Sequence, residues 1–147
     1  MAVRCYIPTT LAALDKGLDT AIAVAPDIAV ADLRPDDAEE SEFAAMSIAA
    51  VFAATEALGA EPPTPRVVVA YDASETAPRR PLTDGFDLLT LETVETDRIA
   101  SFHLDEAPVW DAAVHAGGVE AGEDLLGDSD LLWYDRSELG DLLRERG

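Results

Sequence analysis

A histidine and two carboxylates stand together in the stretch Ile99 to Ala107, IASFHLDEA, where His103, Asp105 and Glu106 follow a short apolar run. Strand alternation puts His103 and Asp105 on one side. An imidazole beside a carboxylate is a pairing that yields a tuned general base or a metal ligand, and in α/β architectures strand ends line ligand crevices. Asp105 and Glu106 also fall where a following helix needs its N-terminal cap, which accounts for them without chemistry. Glu39 and Glu42 share one edge of a helical pattern and are candidates to hold a divalent cation with a further carboxylate from the Asp-rich loops. As acids near a helix start they are equally explained by the helix dipole, and no Glu-x-x-His motif accompanies them. Arg79 and Arg80, the only adjacent basic pair, are either an anion-docking tip, a clamp on the acidic surface of a second copy, or a solvated loop. The chain carries no GxGxxG, no Walker-type loop and no GxSxG elbow, so neither phosphate cradling nor a strained serine nucleophile is signalled, and no cofactor is expected.

Composition narrows the classes further. A net charge of −20 and a pI of about 4.1 oppose non-specific binding to nucleic acid or to an anionic bilayer, both of which need Lys and Arg. The aromatics Tyr6, Tyr71, Trp133 and Tyr134 lack interleaved basic residues, so no nucleic-acid platform is read. Basic proteins, metal cations or mimicry of a polyanion remain open, beside the plainer role of charge in solubility. The lone Cys5 excludes an internal disulfide and a CxxC motif, and its place in a strand pattern marks a buried structural thiol. No signal-peptide pattern and no run of some 18 apolar residues is found, which points to a cytoplasmic protein.

These residues need elements to position them. The chain of 147 residues suits a single domain, 1–147, with its own core. Its longest helical pattern runs from Pro35 to Leu58 between an acidic start, Asp36 to Glu40, and a stop at Gly59. Helical spacing predicts Phe43, Ser47, Ala50, Val51, Ala54 and Leu58 on its core face. Ile48 and Phe52 then point the other way, with Ala45 and Ala49 between them, as a second apolar face buried within the chain or against a partner. Strands are predicted over Val3–Ile7, Thr20–Ala25, Arg66–Ala73, Phe86–Val94, Ile99–Leu104 and Leu131–Tyr134. Short helices are predicted after a cap at Thr9 or Thr10, through Ile28 and Val30, from about Pro108 to Gly117, and after Asp135, where Glu138 completes a capping box. Residues 74–85 and 118–129 read as loops. The pattern is an α/β or α+β domain, a mixed sheet of five or six strands with one long helix and three or four shorter ones packed on it.

Five stretches, YIPTTLAAL from Tyr6, EESEFAAMSIAA from Glu39, RVVVAYDA from Arg66, IASFHLDEA from Ile99 and LLWYD from Leu131, resemble an uncharacterised family of small acidic proteins from high-GC Gram-positive bacteria, a domain of unknown function. The resemblance implies a bacterial, cytoplasmic setting and one α/β-type domain, and it carries over no catalytic residue.

The leading expectation is therefore a non-enzymatic interaction or regulatory module with an acidic surface, self-associating through Ile48 and Phe52 or a strand edge, or binding a basic protein. The alternatives are a small enzyme or divalent-metal protein using His103 and nearby carboxylates, and a polyanion mimic that occupies a basic site.

Overall fold

The computed structural model describes residues 2–27 and 35–146, apart from the side chain of Pro35. The turn of helix expected through Ile28 and Val30 lies outside them. One antiparallel sheet organises the described residues. Its strands are β1 (Ala2–Thr10), β2 (Ala21–Pro26), β3 (Arg66–Ser74), β4 (Arg79–Thr83), β5 (Phe86–Leu91), β6 (Ile99–Leu104) and β7 (Leu132–Asp135), in the order β4-β5-β2-β1-β3-β6-β7. Every pairing is antiparallel, so the expectation of a mixed sheet of five or six strands is corrected to seven strands of one kind.

The seventh strand is β4, inside the stretch read as a loop. Arg79, Arg80 and Pro81 pair with Leu89, Leu88 and Asp87 of β5 across a two-residue turn, Asp84-Gly85. Asp-Gly is a strong hairpin signal because tight turns of this kind need positive φ, and Gly85 has φ 87. Pro81 obscures the strand in the sequence but is tolerated on an edge, where no further strand asks for its missing N–H.

Both faces of the sheet are covered. On one, Ile7, Val67, Val69, Phe102 and Leu104 pack under Leu11 and Leu14 of α1 (Leu11–Lys16) and Leu142 of α5 (Leu139–Arg146). Thr10 caps α1 through its hydroxyl, and Asp135 with Glu138 forms the expected capping box, here on a single 3-10 turn leading into α5. Cys5 is buried in this core, and burial pushes its thiol up to about 12, an inert form. On the other face α2 (Pro35–Gly59) lies across β1, β2 and β3. Beside its C-terminal half pack α3 (Ala107–Val114) and α4 (Val119–Gly127), joined to it by Ala54, Ala57, Leu58, Trp110, Ala113 and Leu126. α4 replaces the loop expected over 118–129. Its Gly122 permits the packing, because a Cβ there would stand 2.7 Å from the Ala113 carbonyl oxygen and 2.9 Å from a Leu58 methyl.

The orientation of α2 differs from the sequence expectation. Ala45, Ala49, Ala50, Ala53, Ala54, Ala57 and Leu58 are buried, whereas Phe43 is 62% and Val51 61% exposed and Ser47 is also exposed. The sheet below already presents Tyr6, Val24 and Val68. Close packing over those bulky residues takes alanine from the helix and turns the larger side chains outward. Of the two residues expected on a second face, Ile48 is partly buried against this same core, and Phe52 is exposed.

By length and composition alone, Asp36–Gly59 is a helix long and apolar enough to cross a bilayer, its most apolar 18-residue window having a mean hydropathy of 1.3. In the fold that stretch is α2, one face of which packs on the sheet.

Candidate functional site

Two polar centres lie on the α2 side of the sheet. The first is made by β6. In an unbroken register with β3, Ser101 lies opposite Ala70 and His103 opposite Val68, and the register shifts only beyond them, between Ala70 and Tyr71. Residues two apart on a strand share a face, and the Ser101 hydroxyl and His103 Nε2 are hydrogen-bonded at 2.9 Å. On the next strand Trp133 pairs with His103 and leaves its side chain 61% exposed. Arg4 and Tyr6 of β1 flank the same place, and the first half of α2 supplies Glu39, Glu42, Phe43 and Met46. Together they enclose an open concavity of about 270 Å³.

Its electrostatics follow from what is already paired. Arg4 holds Asp72 through its Nε at 2.8 Å, a contact that raises the arginine's pKa. This pair is self-compensating. Burial, with a smaller push from Arg4, lowers the pKa of His103 and so favours the neutral imidazole. Burial, then Glu42, drives the Tyr6 phenol up to about 12. Glu39 and Glu42 are therefore the charge left over, and Phe43 and Trp133 the apolar surface left over.

The second centre is closed. Asp105, which alternation places beside His103, instead receives two hydrogen bonds from Arg66, at 2.6 and 2.8 Å. Arg66 also donates to the backbone carbonyls of Ala50 in α2 at 3.1 Å and Leu126 in α4 at 2.9 Å. Both side chains are buried, at 4% and 2% exposure. Asp105 is thus committed to tying four elements together. Glu106 is exposed at the start of α3 and caps it without a side-chain hydrogen bond. The expected cluster of His103, Asp105 and Glu106 is not brought together, whereas His103, Glu39 and Glu42, read as separate candidates, are.

The remaining candidates lie elsewhere. Arg79 on β4 bonds Asp87 at 3.0 Å and the Pro26 carbonyl at 3.3 Å, so it serves the sheet, while Arg80 is exposed on the same edge strand. Phe52 and Ile48 belong to α2 outside the concavity. His115 ends α3, its Nδ1 2.8 Å from the Asp111 carbonyl. Among the described residues no group of three or more His, Cys, Asp or Glu is placed to hold a metal.

Sequence reasoning missed Ser101, Arg66 and the meeting of Phe43 and Trp133 at one recess. Alternation through Ser101 and His103 offered the first. Nothing in the spacing offered Arg66, which reaches Asp105 across 39 positions.

The whole of this arrangement falls within a region that matches a family of unknown function, DUF6912, over residues 3–143. The chain belongs to that family. No curated protein and no solved structure matches it. Over its described residues the DUF6912 chain is thus a seven-stranded antiparallel α+β protein with an open aromatic and acidic concavity beside its long helix.

Proposed function

We propose that this DUF6912 protein is a non-enzymatic interaction module of the bacterial cytoplasm that docks a basic segment of another protein in the concavity between α2 and β7. The observation that carries this reading is that Phe43 and Trp133, both more than half exposed, line one recess whose uncompensated charges are Glu39 and Glu42. Exposed aromatics in a recess are the anchors from which binding surfaces draw most of their energy. An acidic rim speeds encounter with a basic partner and selects against acidic ones. A second copy of the chain would bring another net charge of −20 to the same rim, which weighs against self-association through this face.

The test is affinity capture from the native host with wild-type and Trp133→Ala protein as bait. A basic protein retained by the wild type, released by salt and lost with Trp133→Ala supports the reading. An identical set of captured proteins with both baits overturns it.

The 2.9 Å contact between Ser101 and His103 favours a second reading, a hydroxyl nucleophile with a neutral imidazole as base. Against it, Ser101 is only 5% exposed. A fluorophosphonate probe that labels wild type but not Ser101→Ala would establish it, and the absence of labelling would end it.

A further inference from the structure

The concavity also specifies what it takes from the partner. At about 270 Å³ it is smaller than the roughly 300–1,000 Å³ typical of sites for drug-sized ligands, and matches a single long side chain rather than a cofactor. Arg4 and Asp72 cancel each other, which leaves two carboxylates from adjacent turns of one helix edge facing the same recess. The exposed ring of Phe43 lies on the same helix wall, that of Trp133 comes from β7, and the ring of Tyr6 is buried below. Aromatic faces attract cations through their quadrupole, most strongly where water is partly excluded, and arginine is the cation most often found there. A guanidinium is planar and weakly hydrated, so it stacks on a ring while its edge donates to carboxylates; an ammonium is compact, holds its water and cannot do both as well.

Resting on the docking reading above, we propose that this pocket binds the guanidinium of an arginine side chain on the partner, stacked on Phe43 and Trp133 and paired with Glu39 and Glu42. The occupant is then a basic protein segment anchored by one arginine. The carboxylates supply charge and direction, and the rings supply the contact area.

Short blocked peptides of otherwise identical sequence, carrying arginine, lysine or citrulline at the central position, separate the possibilities. Their binding is followed by NMR at the Trp133 indole N–H and the His103 ring. The arginine peptide is expected to move both signals, and citrulline, which keeps the shape and loses the charge, to bind at least about tenfold more weakly. Glu39→Gln with Glu42→Gln is expected to weaken the arginine peptide by a similar factor, and Trp133→Ala to abolish the His103 shift. Equal binding of the lysine peptide overturns the guanidinium assignment, since the site would then read charge alone. Equal binding of the citrulline peptide overturns the cation assignment but leaves the docking reading in place, with an apolar anchor. No shift with any peptide overturns the arginine assignment, and the docking reading falls with it only if Trp133→Ala also captures the same proteins as wild type.

Discussion

The two polar centres on the α2 side of the sheet are made of similar residues and end in opposite conditions. Around Arg66 and Asp105 each side-chain nitrogen and oxygen finds a partner inside the protein, and the pair is almost wholly shielded from water. Around His103 the charges of Arg4 and Asp72 cancel, but Glu39, Glu42, Phe43 and Trp133 remain turned outward. The difference teaches that polarity beneath a helix is not itself a sign of function. A saturated centre spends its groups on the fold, and only the centre with groups left over can act on something else.

The largest effect that would break this contrast is at Asp105. Asp105→Ala leaves a buried guanidinium uncompensated and is expected to destabilise the fold by about 3–5 kcal/mol, read as a fall in the urea midpoint. A change under about 0.5 kcal/mol, typical of surface positions, would show that the centre is not structural.

Replacing the pair together sharpens the point. Arg66→Met with Asp105→Leu removes both charges, and apolar replacement of a buried ion pair is often near neutral. Arg66 also serves two backbone carbonyls, which the double variant leaves without that donor, so the loss is expected to be about 1–3 kcal/mol. It should stay smaller than the loss from Asp105→Ala alone.

At the open centre the expectation reverses. Trp133→Ala, at an exposed strand position, is expected to move stability by no more than about 0.5–1 kcal/mol while removing partner binding. A melt shifted as far as that of Asp105→Ala would make Trp133 a core residue and erase the distinction.

The smallest effect is a pH slope. The folded-state pKa of His103 lies below its ordinary value of 6.5, so between the two values the unfolded chain binds a proton that the folded chain does not. The contribution of His103 to stability is therefore fully present above pH 6.5 and is lost as pH drops from there toward the folded pKa, by about 1.4 kcal/mol for each full pH unit separating the two values. Arg4 from β1 opposes protonation, and Glu39 and Glu42 from α2 line the same recess. Urea midpoints from about pH 7.5 to 5, a range that brackets an ordinary histidine, should show a slope that His103→Gln flattens. An unchanged slope would mean that other groups set it.

Much of the frame was legible in the sequence because strands and caps are local. Six strand positions, the Thr10 cap and the Asp135–Glu138 capping box follow from alternation and from side chains that bond their own backbone. The Asp84-Gly85 hairpin was equally local and was hidden by Pro81 and two arginines. α4 was hidden by its glycines, one of which exists to let Leu58 and Ala113 close in. The roll of α2 was not legible, because its many alanines and several large residues give the helix apolar character all round; the sheet beneath selects the alanines. The same holds at the site. Strand periodicity set His103 and Asp105 on one side of their strand, but the fate of Asp105 depended on Arg66, which is distant in sequence and near only in the fold.

The alanine seam of α2 has a consequence for motion. Methyl groups pack closely yet bury little area each, so no single contact along the seam holds the helix strongly. The firm attachments are at one end, where Arg66 grips the Ala50 carbonyl and α3 and α4 clasp Ala54, Ala57 and Leu58. Amide hydrogen exchange along α2 should accordingly be graded, slow from Ala50 onward and progressively faster toward Asp36. The fast half is the wall that carries Glu39, Glu42 and Phe43, so the recess can widen around an incoming side chain while the far half of the same helix stays in place.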